Sequence, residues 1–210
     1  LPQARRLASD SLTCFRERRS DFGVAYALHA LTQVETVANR VAEAEAYETE
    51  ALALFRALNS PRDVAWSLAH LGDLALLRGQ LDRARHCREQ SMALFNEIGE
   101  KQAVCISLHA LAQIAREQGD LALASRRLAA GLQTALELQM PYVLAHGFNE
   151  LAGIRLAMNC PADAALFLGT GNALSQRSGR AFPKHEAARF AAWAGEARAV
   201  LGERDYKAAS

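Results

Sequence analysis

The chain has 210 residues, half of them apolar, with 24 basic against 23 acidic side chains and a formal net charge of +1. That apolar share excludes a disordered chain, and the even charge balance leaves no electrostatic footprint for nucleic acid or an anionic membrane. No apolar run reaches the roughly 18 residues of a membrane helix, and the opening Leu1-Pro2-Gln3 before Arg5-Arg6 has no secretory apolar core.

Residues 1–20 read as one helix, the second half of a repeat. Ala4, Leu12 and Phe15 match Ala44, Leu52 and Phe55 forty residues later. Residues 21–60, 61–100, 101–140 and 141–180 then align as four units without a gap. Their fourth positions are Val24, Val64, Val104 and Leu144; their eighth are Leu28, Leu68, Leu108 and Phe148. The eleventh is leucine throughout (Leu31, Leu71, Leu111, Leu151), and the fourteenth reads Val34, Leu74, Ile114 and Ile154. This spacing has helical period, and a second helical stripe follows in each unit. Alanine holds the twenty-fourth position every time, at Ala44, Ala84, Ala124 and Ala164. With Gly72, Ala112 and Ala152 at the twelfth, small residues let helix backbones approach closely.

The punctuation agrees with the periodicity. Position 19 carries Asn39, Gly79, Gly119 and Asn159, and position 39 carries Asn59, Gly99, Gln139 and Gly179. Asparagine and glycine tolerate the left-handed conformation that ends a helix. Pro2, Pro61, Pro141, Pro161 and Pro183 all fall at expected helix starts, where no intrahelical N–H partner is lost. Ser60 and Asp120 are the expected N-caps. Residues 181–210 read as a closing helix. The expected fold is therefore all-α: about ten helices of 16 to 18 residues in antiparallel pairs, stacked as one repeat domain over residues 1–210.

The run Leu71-Gly72, Gly79, Leu81, Ala84, Ser91-Met92 resembles the tetratricopeptide pattern, on a period of 40 residues rather than 34. The chain is similar to the longer repeats of the maltose-regulator-like type, found in the arms of large bacterial LuxR-type transcriptional regulators and related regulatory ATPases and cyclases. Ala164-Ala165-Leu166-Phe167-Leu168-Gly169, Ala173-Leu174, Gly179, Phe182-Pro183 and Glu186 resemble the element that closes such arms. Leu201-Gly202-Glu203 to Tyr206 resembles the short segment on the C-terminal side of that element. Thr170, Gly171 and Asn172 depart from its pattern. The resemblance implies a right-handed α-solenoid. A chain that opens halfway through a repeat, with no start methionine, is expected to be a piece of a larger protein.

By the same resemblance the first helix of each pair lines a concave groove. Carried over position by position, the groove is Tyr26, His29 and Gln33; Trp66, Ala69 and Asp73; Ile106, His109 and Gln113; and His146, Asn149 and Gly153. Aromatic, imidazole and amide groups together suit a peptide or a small polar ligand. No metal is expected: His29 and His109 stand two repeats apart, about 20 Å at 8–10 Å per packed helix, and His109 with His146 offers only two ligands. The Gly169-Thr170-Gly171-Asn172 stretch lacks the strand and the Gly-Lys-Ser/Thr of a phosphate loop and reads as small residues at a tight helix contact. Cys14, Cys87, Cys105 and Cys160 show no C-x-x-C or zinc spacing and read as small buried hydrophobes of a reducing compartment. Arg16, Arg18 and Arg19 read as a solvated helix end. Glu35 and Arg155 occupy a position that is Ala75 and Ala115 in the other units, so they either reach the groove edge or pair with a neighbour.

No nucleophile–base arrangement stands out, so an enzyme and a cofactor are not expected. The functional expectation is a cytoplasmic, non-catalytic arm of a bacterial regulator. It would bind a protein or peptide (its parent's own ATPase module among them) or a small effector. Direct contact with nucleic acid or membrane is not expected. The alternative is a structural adaptor acting through its convex face or open ends, with self-association through the apolar opening half-repeat, Ala4, Leu7, Leu12 and Phe15.

Overall fold

The computed structural model describes residues 1–210, the side chain of His185 excepted. Among the described residues are eleven helices. They are α1 (Pro2–Glu17), α2 (Asp21–Val37), α3 (Val41–Ala57), α4 (Pro61–Leu77), α5 (Leu81–Glu97), α6 (Lys101–Glu117), α7 (Leu121–Glu137), α8 (Pro141–Ala157), α9 (Pro161–Ser178), α10 (Lys184–Leu201) and α11 (Glu203–Ala209). No helix is long and apolar enough to cross a membrane. The chain divides into two compact units, Leu1–Glu100 and Lys101–Ser210.

One local device sets the helix ends. Arg19, Asn39, Asn59, Gly79, Gly99, Gly119, Gln139, Asn159 and Gly179 all adopt positive φ, one every twentieth residue. In most of these turns the next N–H reaches back five residues to a helix carbonyl, as Ser20 N does to Phe15 O (3.0 Å) and Met140 N to Ala135 O (2.9 Å). This is the bonding of a Schellman cap, which satisfies carbonyls the helix leaves open. Arg19 and Gln139 adopt it without being glycine or asparagine. The helix starts are less uniform. Asp120 Oδ1 accepts from Leu123 N at 2.9 Å, and the Ser20 side chain accepts from Gly23 N at 3.3 Å. Ser60 makes no such cap; its hydroxyl donates to Asp63 Oδ2 at 2.5 Å.

In the first unit α1 packs on α2, α2 on α3, α3 on α4 and α4 on α5. Leu28, Leu31, Phe55, Leu74 and Phe95 fill its interior. Ala44 and Ala84 are fully buried, as their register requires. Glu35 is also fully buried, where it accepts from Arg40 and pairs with Arg5 Nε at 2.8 Å, tying α1 to the turn after α2. Of the two readings of Glu35, the paired one holds.

In the second unit α6 to α9 form the same antiparallel succession around Leu111, Ile114, Leu128, Ile154 and Leu168. Ala124 and Ala164 are again fully buried. Residues 184–209 do not run as one helix: Gly202, at φ 78°, separates α10 from α11, and both pack on α9. The Gly169–Asn172 stretch lies inside α9, and a Cβ on Gly171 would stand 2.5 Å from Asn149 Oδ1. That is the tight helix contact its composition suggests. Cys87 and Cys105 are buried and Cys14 and Cys160 half-buried, all four as free thiols. Burial pushes the Cys105 thiol up to about 11, so it is an inert thiol rather than a nucleophile.

Candidate ligand-binding site

A cavity of about 420 Å³ opens in the first unit between α2 and α4. Tyr26, His29 and Gln33 of α2 line one wall at spacings of three and four, which places them on one helix face. Arg62, Asp63, Trp66 and His70 of α4 line the other, and Phe55 of α3 closes the base. The walls are bound to each other. Tyr26 Oη donates to Asp63 Oδ1 at 2.7 Å, and the Tyr26 ring meets Phe55 edge-on at 5.3 Å. The Trp66 indole is held between Phe95, edge-on at 5.0 Å, and His70, stacked at 6.2 Å. It is half-buried, so one face stays available to the cavity.

Beneath the two histidines lies a buried charge. Glu48 of α3 is fully buried, 3.2 Å from His29 Nδ1 and 3.8 Å from His70 Nδ1. The two imidazole rings are 4.6 Å apart, and Gln33 Nε2 approaches His29 Nε2 at 3.1 Å. Burial on its own would push the Glu48 carboxyl up. The hydrogen bond from His29 and the nearness of both imidazoles outweigh it and hold the group down at about 2. The pocket therefore combines aromatic rings on both walls, the neighbouring charges of Arg62 and Asp63, and two histidines backed by the buried Glu48 carboxylate behind its lining.

The sequence-derived groove is brought together in part. Tyr26, His29, Gln33 and Trp66 share this pocket. Asp73 stands apart from it as the partner of Arg88, and Ala69 is buried in helix packing. In the second unit Ile106 is exposed and Gln113 half-buried. His109 is buried, stacked on His146 at 6.1 Å, and Asn149 is fully buried. A Cβ on Gly131 or Gly147 would stand within 2.6 Å or 2.8 Å of the His109 ring, so those glycines make the room it occupies. Burial, with the charge of His146 adding to it, brings the His109 imidazole down to about 3. It is a neutral packing residue. Gly153 likewise lies under Trp193, whose ring a Cβ would meet at 2.5 Å. His146 is half-buried, 3.5 Å from Glu186. The second unit has its own buried carboxylate, Glu150, which accepts from Arg189.

Glu48 and His70 were not among the expected site residues, yet the register holds a signal for the first. Position 28 of the four units reads Glu48, Arg88, Leu128 and Leu168, and all four are buried. A carboxylate where later units place leucine has to be compensated by neighbours. His70 comes directly after Ala69, one step beyond the groove position, and only the packing of α3 against α4 turns it toward Glu48.

A tetratricopeptide repeat family model matches residues 63–137. No curated protein matches the sequence. Among solved structures, BtubC (BKLC) from P. vanneervenii is similar with a TM-score of 0.79 at 18% identity, covering 99% of this chain and 87% of that one. The apo form of RapI gives 0.70 at 13% identity over 95% of this chain and 60% of its own. A Rap protein complexed with Competence and Sporulation Factor gives 0.66 at 17% identity over 95% and 59%. At these identities the likeness is one of fold. The chain is an all-α, tetratricopeptide-like helical-repeat solenoid, and its residues 63–137 carry the tetratricopeptide signature itself.

Proposed function

We propose that this protein is a non-catalytic recognition arm that binds a peptide segment in the cavity between α2 and α4. The observation that carries the reading is the composition of that cavity. Trp66, Tyr26 and Phe55 offer flat apolar area, while His29, Gln33, Arg62 and Asp63 offer directional donors and acceptors at its edge. Peptide recognition needs both: aromatic anchors give contact area and fixed polar groups read the backbone. The volume of about 420 Å³ lies in the range of sites that enclose a ligand of a few side chains. The tetratricopeptide match over residues 63–137 supports a protein or peptide partner, as does the likeness to a Rap protein whose structure holds Competence and Sporulation Factor. In the finer form of this proposal the arm belongs to a cytoplasmic bacterial regulator of the LuxR-type class, and occupancy of the cavity signals to the rest of that protein.

The test is selection of a displayed random-heptapeptide library on the purified protein, then affinity measurement on Trp66→Ala. Selected peptides are expected to lose at least tenfold in affinity for Trp66→Ala while its helicity is unchanged, since truncating a buried aromatic anchor costs ~2 kcal/mol or more. Equal binding to the folded variant would move the partner site away from this cavity.

A further inference from the structure

Glu48, His29 and His70 come from three different helices, α3, α2 and α4, and their ligating atoms all lie within 4.8 Å of one another. We propose that His29 Nδ1, His70 Nδ1 and a Glu48 carboxylate oxygen form a binding site for a divalent transition-metal ion, with its remaining coordination position facing the cavity. Two imidazoles and one carboxylate are the donor set of zinc, cobalt, nickel and iron(II) sites. Magnesium and calcium prefer oxygen donors alone. With bonds of about 2.0–2.1 Å, a tetrahedral ion places neighbouring donors roughly 3.3–3.4 Å apart. The His29–Glu48 separation of 3.2 Å already meets that. His70 stands 3.8 Å from Glu48, and the three ligand atoms spread over as much as 4.8 Å. His70, the most exposed of the three side chains, closes the site by swinging inward by about 1 Å.

The surroundings suit the ion as well. His70 Nδ1 is buried with no hydrogen-bond partner among the described residues, so its ring nitrogen is aimed into the cluster without one. Gln33 approaches the far nitrogen of His29 at 3.1 Å. Turned by half a rotation, its amide oxygen accepts from His29 Nε2–H at the same place, which leaves the Nδ1 lone pair for the metal. Glu48 remains charged, and a divalent ion would compensate that buried charge more fully than one hydrogen-bonded imidazole does. Three protein ligands and one open position are the arrangement of a site that takes water or a ligand group as its fourth donor. The metal site stands whether or not a peptide fills the cavity above it, and metal ions alone suffice to test it.

Chelator-treated protein is titrated with Co²⁺, monitored by visible absorption, and with Zn²⁺ by calorimetry. One equivalent of Co²⁺ is expected to give d–d bands that Zn²⁺ removes. His70→Gln is expected to weaken binding at least tenfold, while His86→Gln, at an exposed position on α5, leaves it unchanged. His29→Gln, read in the same way, is the second variant. Glu48→Gln is not the primary variant, because it alters a fully buried group on which the fold depends. Absence of saturable binding of either ion would overturn the proposal, and so would an affinity that His70→Gln leaves intact.

Discussion

Tyr26 donates its phenolic hydrogen to Asp63 Oδ1 across 2.7 Å, and Asp63 in turn accepts from the Ser60 hydroxyl at 2.5 Å. A residue in the first half of α2 is thereby linked to the first turn of α4, at the mouth of the cavity. The bond to Asp63 raises the Tyr26 pKa, with burial and the Asp63 charge adding to it. Tyr26→Phe should cost about 0.5 kcal/mol, the low end for a hydrogen bond, because the bond to Asp63 is exposed to solvent. A group whose folded pKa is raised contributes stability below its unfolded value and loses it as pH rises through the folded one. The difference between wild type and variant in urea unfolding should therefore hold up to about pH 10 and shrink as pH rises beyond it. A difference that persists there would assign the effect to packing.

Glu48 makes the opposite prediction in acid. Its carboxyl is held at about 2, below its ordinary 4.5, so it stabilises the first unit above that ordinary value. The contribution is lost as pH falls from about 4.5 toward 2, when the unfolded chain takes up the proton more readily. Glu48→Gln should be less stable than wild type at pH 7, and its stability should fall less steeply across this window. Parallel pH profiles from thermal unfolding would count against the His–Glu–His assignment.

Gly131→Ala tests the packing of His109. Alanine is favoured over glycine in a helix by about 1 kcal/mol, yet the new Cβ would lie 2.6 Å from His109 Cδ2 and 3.4 Å from Leu108 Cβ. Gly147 confines the same ring from another side, at 2.8 Å, so it has little room to retreat. Overpacking should win, with a net loss of about 1–2 kcal/mol. The loss should shrink in the double variant His109→Ala/Gly131→Ala, as a double-mutant cycle would measure.

Ala124→Leu addresses the register itself. Ala124 is fully buried where α7 meets its neighbours, and the added carbons have no space. Denaturant unfolding should show a loss of about 1–3 kcal/mol; a neutral result would contradict the close helix approach.

Gln139→Gly should be stabilising. Gln139 has φ 51° in the turn after α7, a conformation that strains a side-chain-bearing residue. Glycine there should raise stability by about 0.5–1 kcal/mol after its own entropy cost is subtracted. Calorimetric melting of the two proteins decides it.

The helix pairs could be read from the sequence because their signals are local and recur. Apolar spacing, prolines at helix starts and Asn or Gly at helix ends each act within one turn, and four aligned units repeat the message. Gln139 and Arg19 were less legible, since their left-handed turns are imposed by the fold against their own preference. The candidate site was legible along α2, where Tyr26, His29 and Gln33 share a face by helical geometry alone. Across helices the same rule failed. His109 and Asn149 occupy groove register but are buried by the packing of their own unit, and His70 enters the site through the packing of α3 against α4, which no spacing within one helix encodes. Glu48 was visible only as an ill-fitting residue in a column that the third and fourth units fill with leucine.

The left-handed residue at every twentieth position has a consequence for how this chain folds. Each helix is stopped by its own turn, and within each unit the helices pack mainly on those next in sequence. Closing such contacts requires only short loops, so little entropy is lost before they form. Folding is then free to begin at any helix hairpin and spread to its neighbours, as in a one-dimensional chain of coupled segments. Refolding should accordingly be rapid, with hydrogen exchange fastest where a helix has a neighbour on one side only.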